Sequence, residues 1–441
     1  MSCRRSPAMV LVLTLGIVLG CSSEPGAVIQ ASLLSVAGDG QVGSLGRPLS
    51  NLLIVKVANP SGDGLPGVTV NWSVFDGGTV SSAAVVTDAA GLARVRWTLG
   101  LRTGAQTATV QMATARVVGG SSVTFTATTP SLVPLTDMGA STYFGFPGGL
   151  YPGGNVMPQA HTNAGRAFAA AVQPLDANGN PSTGGKYVLL SIGHSVVQQV
   201  FCFEDSCPSF SFIGKALADA EVESTNLVFV KGAEGGRTTE FWDTPDRADY
   251  DRIRDAQLGP LGLSEQQVQV VWMAVENREP SPPPFPANAD VLVRQFGNIT
   301  RALRSRYPNL RLVFLASFSY GGYVTNLDRI KEPYAYEGGF DKKWLIQAQI
   351  DQIANGGTIV DGRAGDLNYN TVAPWIGWGP YSWADGVNPR SDGLFWPSGD
   401  FQSDGVHFTQ SGIDKAAGLL LTFFKTSPQT RCWFLNTGVT C

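Results

Sequence analysis

The hydrophobic pattern of the chain changes near residue 186, from short alternating segments to longer apolar runs separated by helical periods. In residues 93–99, for example, Ala, Val, Trp and Leu alternate with Arg, Arg and Thr. Clusters of turn-forming residues, such as the Asn-Pro-Ser-Gly-Asp-Gly of 59–64, separate such segments between residues 30 and 129. A period of two predicts half-buried strands, and several short strands without a helical period predict a β-sandwich.

After residue 186 the apolar runs are continuous, which indicates strands that are buried on both faces. Five runs have this character: 187–192, 227–230, 268–273, 310–315 and a weaker 372–376. Between the third and fourth runs, Leu292, Phe296, Ile299 and Leu303 recur at helical spacing. Helices are also expected at 159–172, 342–353 and 411–424. Strands that alternate with helices predict a parallel sheet with helices on both faces, a flavodoxin-like α/β/α domain.

The length of 441 residues is typical of two or three domains. We divide the chain into an export signal (1–20), a tether (21–29), a β-sandwich (30–129), a Gly/Pro/aromatic linker with an N-terminal extension (130–185) and the α/β/α domain (186–441). The net charge is −4, and no basic cluster follows the first few residues. Nucleic acid is therefore not an expected partner.

The N-terminus has the organisation of an export signal, with Arg4 and Arg5 before an apolar stretch at 9–19. The sequence Val-Leu-Gly-Cys at 18–21 resembles the lipobox of bacterial lipoproteins. This resemblance implies cleavage before Cys21, a diacylglycerol on its thiol and a location in the cell envelope, in the periplasm or at the cell surface. The alternative is an ordinary cleaved signal.

Cleavage and lipidation would leave four of the six cysteines, an even number in an exported protein. Four cysteines allow three pairings. The economical choice is two local disulfides, Cys202 with Cys207 and Cys432 with Cys441. We therefore expect an oxidising compartment rather than a metal site.

Candidate catalytic residues follow the predicted strands. Ser195 comes directly after the first strand, Gly235 and Gly236 after the second, and Asn277 after the third. Of the three histidines, only His407 has a carboxylate three residues before it, which is Asp404. A serine nucleophile needs a base to take its proton, a carboxylate to orient that base and donors for the oxyanion.

This order resembles the SGNH (GDSL-type) hydrolases over roughly residues 186–426. The resemblance implies that Ser195 is the nucleophile, His407 the base and Asp404 the residue that orients it. It implies oxyanion donors at Ser195, Gly235 or Gly236, and Asn277. The first block reads Gly-His-Ser where the family usually has Gly-Asp-Ser, and the third reads Glu-Asn-Arg where Gly-x-Asn-Asp is usual.

The first domain resembles the bacterial Ig-like repeats of intimin and invasin type. The resemblance rests on the turn at 59–67 followed by Val-Thr-Val-Asn-Trp, the turn at 87–91 and the closing Val-Thr-Phe-Thr-Ala at 123–127. It implies a spacer or adhesive stalk and no catalytic role.

Other residues compete for the same roles. Ser319 follows the fourth strand in a half-matched Gly-x-Ser-x-Gly elbow that lacks its first glycine. His194 is expected in a pocket or in packing, and His161 at the surface or behind the site. The aromatic residues of 375–396 are candidates either for stacking on sugar rings or for packing within a loop.

The expected function is hydrolysis of an acyl ester, such as an O-acetyl group on a carbohydrate, by a protein anchored to the membrane through Cys21. The expected partners are this ester substrate and the membrane, and no metal or organic cofactor is implied. The alternative is a surface protein that binds glycan without turnover or is adhesive, with a degenerate hydrolase domain.

Overall fold

The computed structural model describes residues 29–75, 77–100, 103–113, 117–118, 122–203, 206–277, 283–325, 330–436 and 438–441. The export signal and Cys21 lie outside the described residues. None of the helices in these ranges has the length and apolar character needed to cross a bilayer.

The first domain is a β-sandwich, as its alternating pattern predicts. Its strands are β1 (Ile29–Gln30), β2 (Ser32–Ala37), β3 (Gln41–Val42), β4 (Leu53–Ala58), β5 (Thr69–Val74), β6 (Thr79–Val80), β7 (Ala84–Val86), β8 (Leu92–Val95), β9 (Trp97–Thr98), β10 (Gly104–Met112), β11 (Val117–Val118) and β12 (Val123–Thr129). One sheet has the order β2-β4-β8 and the other β3-β12-β10-β5-β7. Their inward residues, including Val55, Trp72, Trp97, Val110 and Phe125, form one apolar core.

The linker after the sandwich is folded onto the second domain. It forms a hairpin of β13 (Thr142–Tyr143) and β14 (Phe146–Pro147). The Tyr143 hydroxyl donates a hydrogen bond of 2.8 Å to Glu337, and the Lys343 ammonium donates to the Pro147 carbonyl at 2.6 Å. The linker therefore belongs to the core of the second domain.

The second domain contains a five-stranded, wholly parallel sheet with helices on both faces, which confirms the predicted α/β class. The strands are β15 (Tyr187–Gly193), β16 (Leu227–Val230), β17 (Val268–Ala274), β18 (Leu312–Leu315) and β19 (Trp375–Trp378). The helices are α1 (Gln159–Ala170), α2 (Ser195–Cys202), α3 (Phe212–Ala218), α4 (Ala248–Arg252, followed by a π-helical turn to Leu258), α5 (Ala287–Arg306), α6 (Tyr334–Ala354), α7 (Gln410–Thr426) and α8 (Arg431–Phe434).

The strand order is β16-β15-β17-β18-β19, so the order reverses at β15. One apolar core lies between the sheet and α5 and α6, and a second lies between the sheet and α1, α2, α3 and α7. In sheets of this kind, ligands bind beyond the carboxyl ends of the strands, at the point where the order reverses. The residues after β15, β16 and β17 are thus the first place to look for a site.

The fifth strand begins three residues later than the sequence pattern predicts. Val372 and Ala373 donate their amide hydrogens back to Asn368 in a turn, and Pro374 has no amide hydrogen to give to the ladder. Trp375 is the first residue that can join the sheet, and it does so by donating to the Arg311 carbonyl at 3.0 Å.

Candidate active site

Ser195 is positioned by an abrupt change from strand to helix. β15 ends at Gly193, His194 caps the helix, and Ser195 is the first residue of α2. Gly193 has a φ of +152°, and a Cβ there would lie 2.2 Å from the Ala274 carbonyl oxygen. Only glycine tolerates this conformation and this close approach, so the sequence at 193 lets the chain turn and leaves Ser195 at the carboxyl edge of the sheet.

The turn that carries Asp404 and His407 brings both side chains to Ser195. The Asp404 carboxylate accepts hydrogen bonds from the Val406 and His407 amides at 2.9 and 3.0 Å, which is the geometry of an Asx turn. His407 Nδ1 lies 2.5 Å from Asp404 Oδ2. His407 Nε2 lies 2.8 Å from Ser195 Oγ, although the two residues are 212 positions apart. The three residues predicted as nucleophile, base and orienting carboxylate are therefore in contact.

The electrostatics of Asp404 suit a residue that orients a base. Partial burial raises the pKa of Asp404, but hydrogen bonds from the His407 ring and from the Val406 and His407 amides outweigh it and hold the pKa below its ordinary value. The carboxylate is therefore ionised at neutral pH. A charged oxygen against Nδ1 fixes the tautomer in which Nε2 faces the serine hydroxyl.

The structure distinguishes between the two candidate glycines of the loop after β16. A Cβ built on Gly235 would lie 3.8 Å from Ser195 Cβ, whereas one built on Gly236 meets no atom within 4 Å. The loop is tied to the end of β15 by a hydrogen bond of 3.1 Å from the Glu234 amide to the Gly193 carbonyl. Gly235 is thus the glycine beside the nucleophile, and Gly236, with a φ of +78°, completes the turn.

A network of ion pairs holds this glycine loop. Asp249 on α4 accepts from Arg237 at 2.8 Å and from Arg252 at 3.1 Å, and Arg237 also pairs with Glu234 at 2.8 Å. Arg252 donates to the Gly232 carbonyl at 2.6 Å. The loop backbone is fixed from behind, as preorganised oxyanion donors require.

Asn277 follows β17, and its side chain has a fixed orientation. Its carbonyl oxygen Oδ1 accepts a hydrogen bond from the hydroxyl of Thr239, which is fully buried. With the amide oriented in this way, its donor group Nδ2 is on the side away from Thr239. No sequence pattern marked Thr239, nor Gln199, whose Oε1 accepts from the Phe408 amide at 3.1 Å and anchors the histidine loop to α2.

A buried group of charged residues lies directly behind Asn277. Lys342 of α6 donates to Glu276 at 2.6 Å and to the Gly338 carbonyl at 3.0 Å, and it also pairs with Asp341 at 3.2 Å. The Lys342 and Asp341 side chains are fully buried. Charged side chains on a helix are ordinarily exposed, so no sequence pattern indicated that these residues are buried.

The other candidate bases and the rival nucleophile lie elsewhere. His161 is not at the surface: it is buried in α1, its Nε2 lies 2.9 Å from the Ile376 carbonyl oxygen, and its ring stacks on Trp375. Burial lowers the pKa of His161 to about 4. His194 accepts a hydrogen bond from the Val196 amide and packs against Phe318, in keeping with a pocket residue.

Ser319 does not sit in a nucleophile elbow. No helix follows it within the described part of 316–333, and α6 begins only at Tyr334. A nucleophile elbow needs a strand that passes directly into a helix. The arrangement of Ser195 between β15 and α2 has this form instead.

The aromatic residues before the Asp-x-x-His turn are mostly interior. Trp378, Tyr381 and Trp383 are buried, and Trp383 donates its indole hydrogen to Glu332 at 2.8 Å. Phe395 is 43% exposed, with the Lys415 ammonium over its ring. Stacking on sugar rings is therefore wrong for the three buried residues, whose faces are covered by the core.

The two expected disulfides, Cys202–Cys207 and Cys432–Cys441, are present. Disulfides persist in oxidising compartments outside the cytoplasm. The first of them closes the end of α2, the helix that begins at Ser195.

No protein-family model matches the chain, and no curated protein matches it. Among solved structures, the D00-D0 domain of intimin matches at 10% identity with a TM-score of 0.18, covering 23% of this chain and 48% of that one. The Yersinia pseudotuberculosis adhesin InvE matches at 17% identity and a TM-score of 0.19, covering 30% of this chain and 37% of that one. A conjugative transposon lipoprotein from Bacteroides eggerthii matches at 12% identity with a TM-score of 0.18, covering 22% of this chain and 95% of that one.

The chain thus spans less than half the length of the intimin and InvE structures that it matches. The TM-scores are too low for these likenesses to bear on the site.

Proposed function

We propose that the protein is a serine esterase of SGNH type. The observation that carries this proposal is the distance of 2.8 Å between Ser195 Oγ and His407 Nε2, with Asp404 on the opposite side of the imidazole. The family resemblance of the sequence blocks, and their position at the edge of the sheet where the strand order reverses, support it.

In the proposed reaction, Ser195 Oγ attacks the acyl carbon while its proton passes to His407 Nε2. The negative charge moves to the carbonyl oxygen, which accepts hydrogen bonds from the backbone amides of Ser195 and Gly235 and from Asn277 Nδ2. When the carbon–oxygen ester bond breaks, the departing alcohol takes the proton from His407. Water then attacks the acyl-enzyme with His407 as base, which releases the carboxylic acid and restores Ser195.

The His407 ring gains a positive charge during the first step. The Asp404 carboxylate, with its lowered pKa, stabilises that charge without itself taking the proton. Besides this stabilisation of the charged imidazole, fixed hydrogen-bond donors to the oxyanion lower the barrier substantially in such sites.

The test is hydrolysis of p-nitrophenyl acetate by the purified protein and by its Ser195→Ala variant. We expect the variant to lose at least about 10⁴-fold in kcat. Ser73→Ala, at an exposed position of the sandwich, is the control and should leave the rate unchanged. Equal rates for the wild type and Ser195→Ala would reject the esterase and favour the alternative of a non-catalytic surface protein.

We also propose that the mature protein is attached to a membrane through lipid on Cys21, with the sandwich as a spacer below the esterase domain. The lipobox-like Val-Leu-Gly-Cys and the two disulfides support this location. Replacement of Cys21 by Ser should move the protein from the membrane fraction to the soluble fraction.

A further inference from the structure

A small cavity lies between α2, α7 and the ends of β17 and β18, and it is lined by residues adjacent in sequence to Ser195 and His407, not by those two residues themselves. His194 and Val196, the two neighbours of Ser195, line it, as does Phe408, the residue after His407. Its volume is about 40 Å³. Since one water position needs about 10–15 Å³, the cavity has room for roughly three or four non-hydrogen atoms.

The wall of the cavity is largely apolar. Val197, Val200, Ala274, Ala316, Ala416 and Leu420 contribute to it. These side chains come from α2, from α7 and from the sheet, so several elements of the fold form the cavity and no single loop does. An ester has an acyl part and an alcohol part. An apolar space near the serine that would be acylated suits the acyl part better than a polar alcohol such as a sugar.

Besides these apolar residues, five residues with polar side-chain groups line the cavity: His194, Trp272, Ser317, Ser319 and Ser382. Ser319 Oγ and Trp272 Nε1 belong to residues that line the cavity, and each residue is only 5% exposed. Neither atom has a hydrogen-bond partner among the described residues. Buried polar groups are nearly always paired, and leaving one unpaired is costly. The indole nitrogen can only donate, so its missing partner has to be an acceptor.

We propose that this cavity binds the acyl group of the substrate, and that the group is short and carries a hydroxyl or keto oxygen, as in a 3-hydroxybutyryl ester. This inference rests on the proposed esterase. The carbon chain would contact the valine and alanine wall, and its oxygen would accept from Trp272 Nε1 and exchange a hydrogen bond with Ser319. The half-matched elbow around Ser319 then marks a specificity residue and not a second nucleophile.

The experiment compares kcat/KM for the p-nitrophenyl esters of 3-hydroxybutyrate, butyrate and octanoate with the full-length protein. We expect 3-hydroxybutyrate to exceed butyrate by about tenfold or more, because butyrate leaves both donors unpaired. Octanoate should be slower still, because its chain is longer than the cavity.

Ser319→Ala and Trp272→Phe should each reduce the ratio of 3-hydroxybutyrate to butyrate toward one. Trp242→Phe is the matched control: its indole nitrogen is also buried and has no hydrogen-bond partner in the part of the chain that the structure describes, but it lies in the core on the opposite face of the sheet. We expect Trp242→Phe to keep the wild-type ratio.

Binding gives a second readout that does not need turnover. In the Ser195→Ala protein, free 3-hydroxybutyrate should raise Tm and free butyrate should not, and Ser319→Ala added to this background should remove the shift.

The outcomes separate the two proposals. Hydrolysis that depends on Ser195 but shows equal rates for 3-hydroxybutyrate and butyrate, or a fast reaction with octanoate, overturns the acyl-pocket inference and leaves the esterase intact. An unchanged ratio in both Ser319→Ala and Trp272→Phe also overturns it. Absence of any hydrolysis that depends on Ser195 removes both proposals.

Discussion

The sandwich and the α/β domain bury different kinds of groups. Among the described residues of the sandwich, the buried polar side chains are uncharged: Ser44, Thr87, Gln106 and Thr129. The α/β domain buries ionisable side chains, including Glu276, Glu332, Glu337, Asp341 and Lys342. Burial of a charge is expensive unless it is paired, so a domain that needs only stability avoids it.

The buried charged groups that lower stability lie in one part of the molecule, next to the candidate site. The buried charges cluster around α6, and Glu276 comes directly before Asn277 in the chain. The described residues of the sandwich bury no charged side chain, whereas the α/β domain buries several of them beside its candidate site.

Asp404→Asn should reduce kcat for ester hydrolysis by about 10⁴-fold, because the amide no longer fixes the tautomer or stabilises the charged His407 ring. The measurement is the rate with p-nitrophenyl acetate at neutral pH. Asp88→Asn, which removes an exposed carboxylate of the sandwich paired with Arg94, is the control and should not change the rate. A loss of less than tenfold in Asp404→Asn would contradict the proposed triad.

Lys342→Met should lower the free energy of unfolding by about 3–5 kcal/mol, since it leaves Glu276 and Asp341 buried without their cation. The matched change in the sandwich is Lys56→Met, which removes one exposed hydrogen bond to the Gly62 carbonyl and should cost no more than about 0.5 kcal/mol. Urea unfolding followed by tryptophan fluorescence measures both. Equal losses in the two variants would remove the contrast between the domains.

Asn277→Ala should lower kcat by about 10²–10³-fold, the usual effect of removing one oxyanion donor. Thr239→Val should give a smaller loss, because Asn277 keeps its amide but loses the partner that orients it. Kinetics with p-nitrophenyl acetate should show both losses in kcat with little change in KM. An unchanged kcat in Asn277→Ala would exclude this residue from the oxyanion hole.

Glu337 makes folding stability depend on pH. Burial raises the pKa of Glu337 to about 8, against the hydrogen bond from Tyr143. The folded state therefore holds a proton that the unfolded state releases above its ordinary pKa. The stability that this bound proton contributes is fully present below the ordinary pKa of a glutamate carboxyl, and it is lost as the pH rises through about 8.

Between pH 5 and pH 7, Glu337→Gln should remove about 2–3 kcal/mol of the decline in unfolding free energy seen in the wild type. Urea titrations of both proteins at the two pH values measure this difference. The same decline in both proteins, or a steeper one in Glu337→Gln, would show that this carboxyl does not hold its proton in the folded state.

Local patterns were sufficient for much of the architecture. The period of two before residue 130 and the continuous apolar runs after 186 correspond to the sandwich and the parallel sheet. The stripe of Leu292, Phe296, Ile299 and Leu303 lies on the buried face of α5. These features were predictable because each depends on which face of a short segment is buried, a property that neighbouring residues encode.

The elements and the order of the candidate blocks follow from local sequence, because turn residues such as Gly193 and the Asp404 turn act within a few positions. The packing of distant segments brings Gly235 rather than Gly236 close to Ser195 and places Thr239 where it orients Asn277. It also buries Lys342 and the aromatic side chains near Trp383. The burial of these side chains depends on contacts between segments that are distant in the chain. Local sequence patterns do not predict which polar or aromatic side chains such contacts will cover.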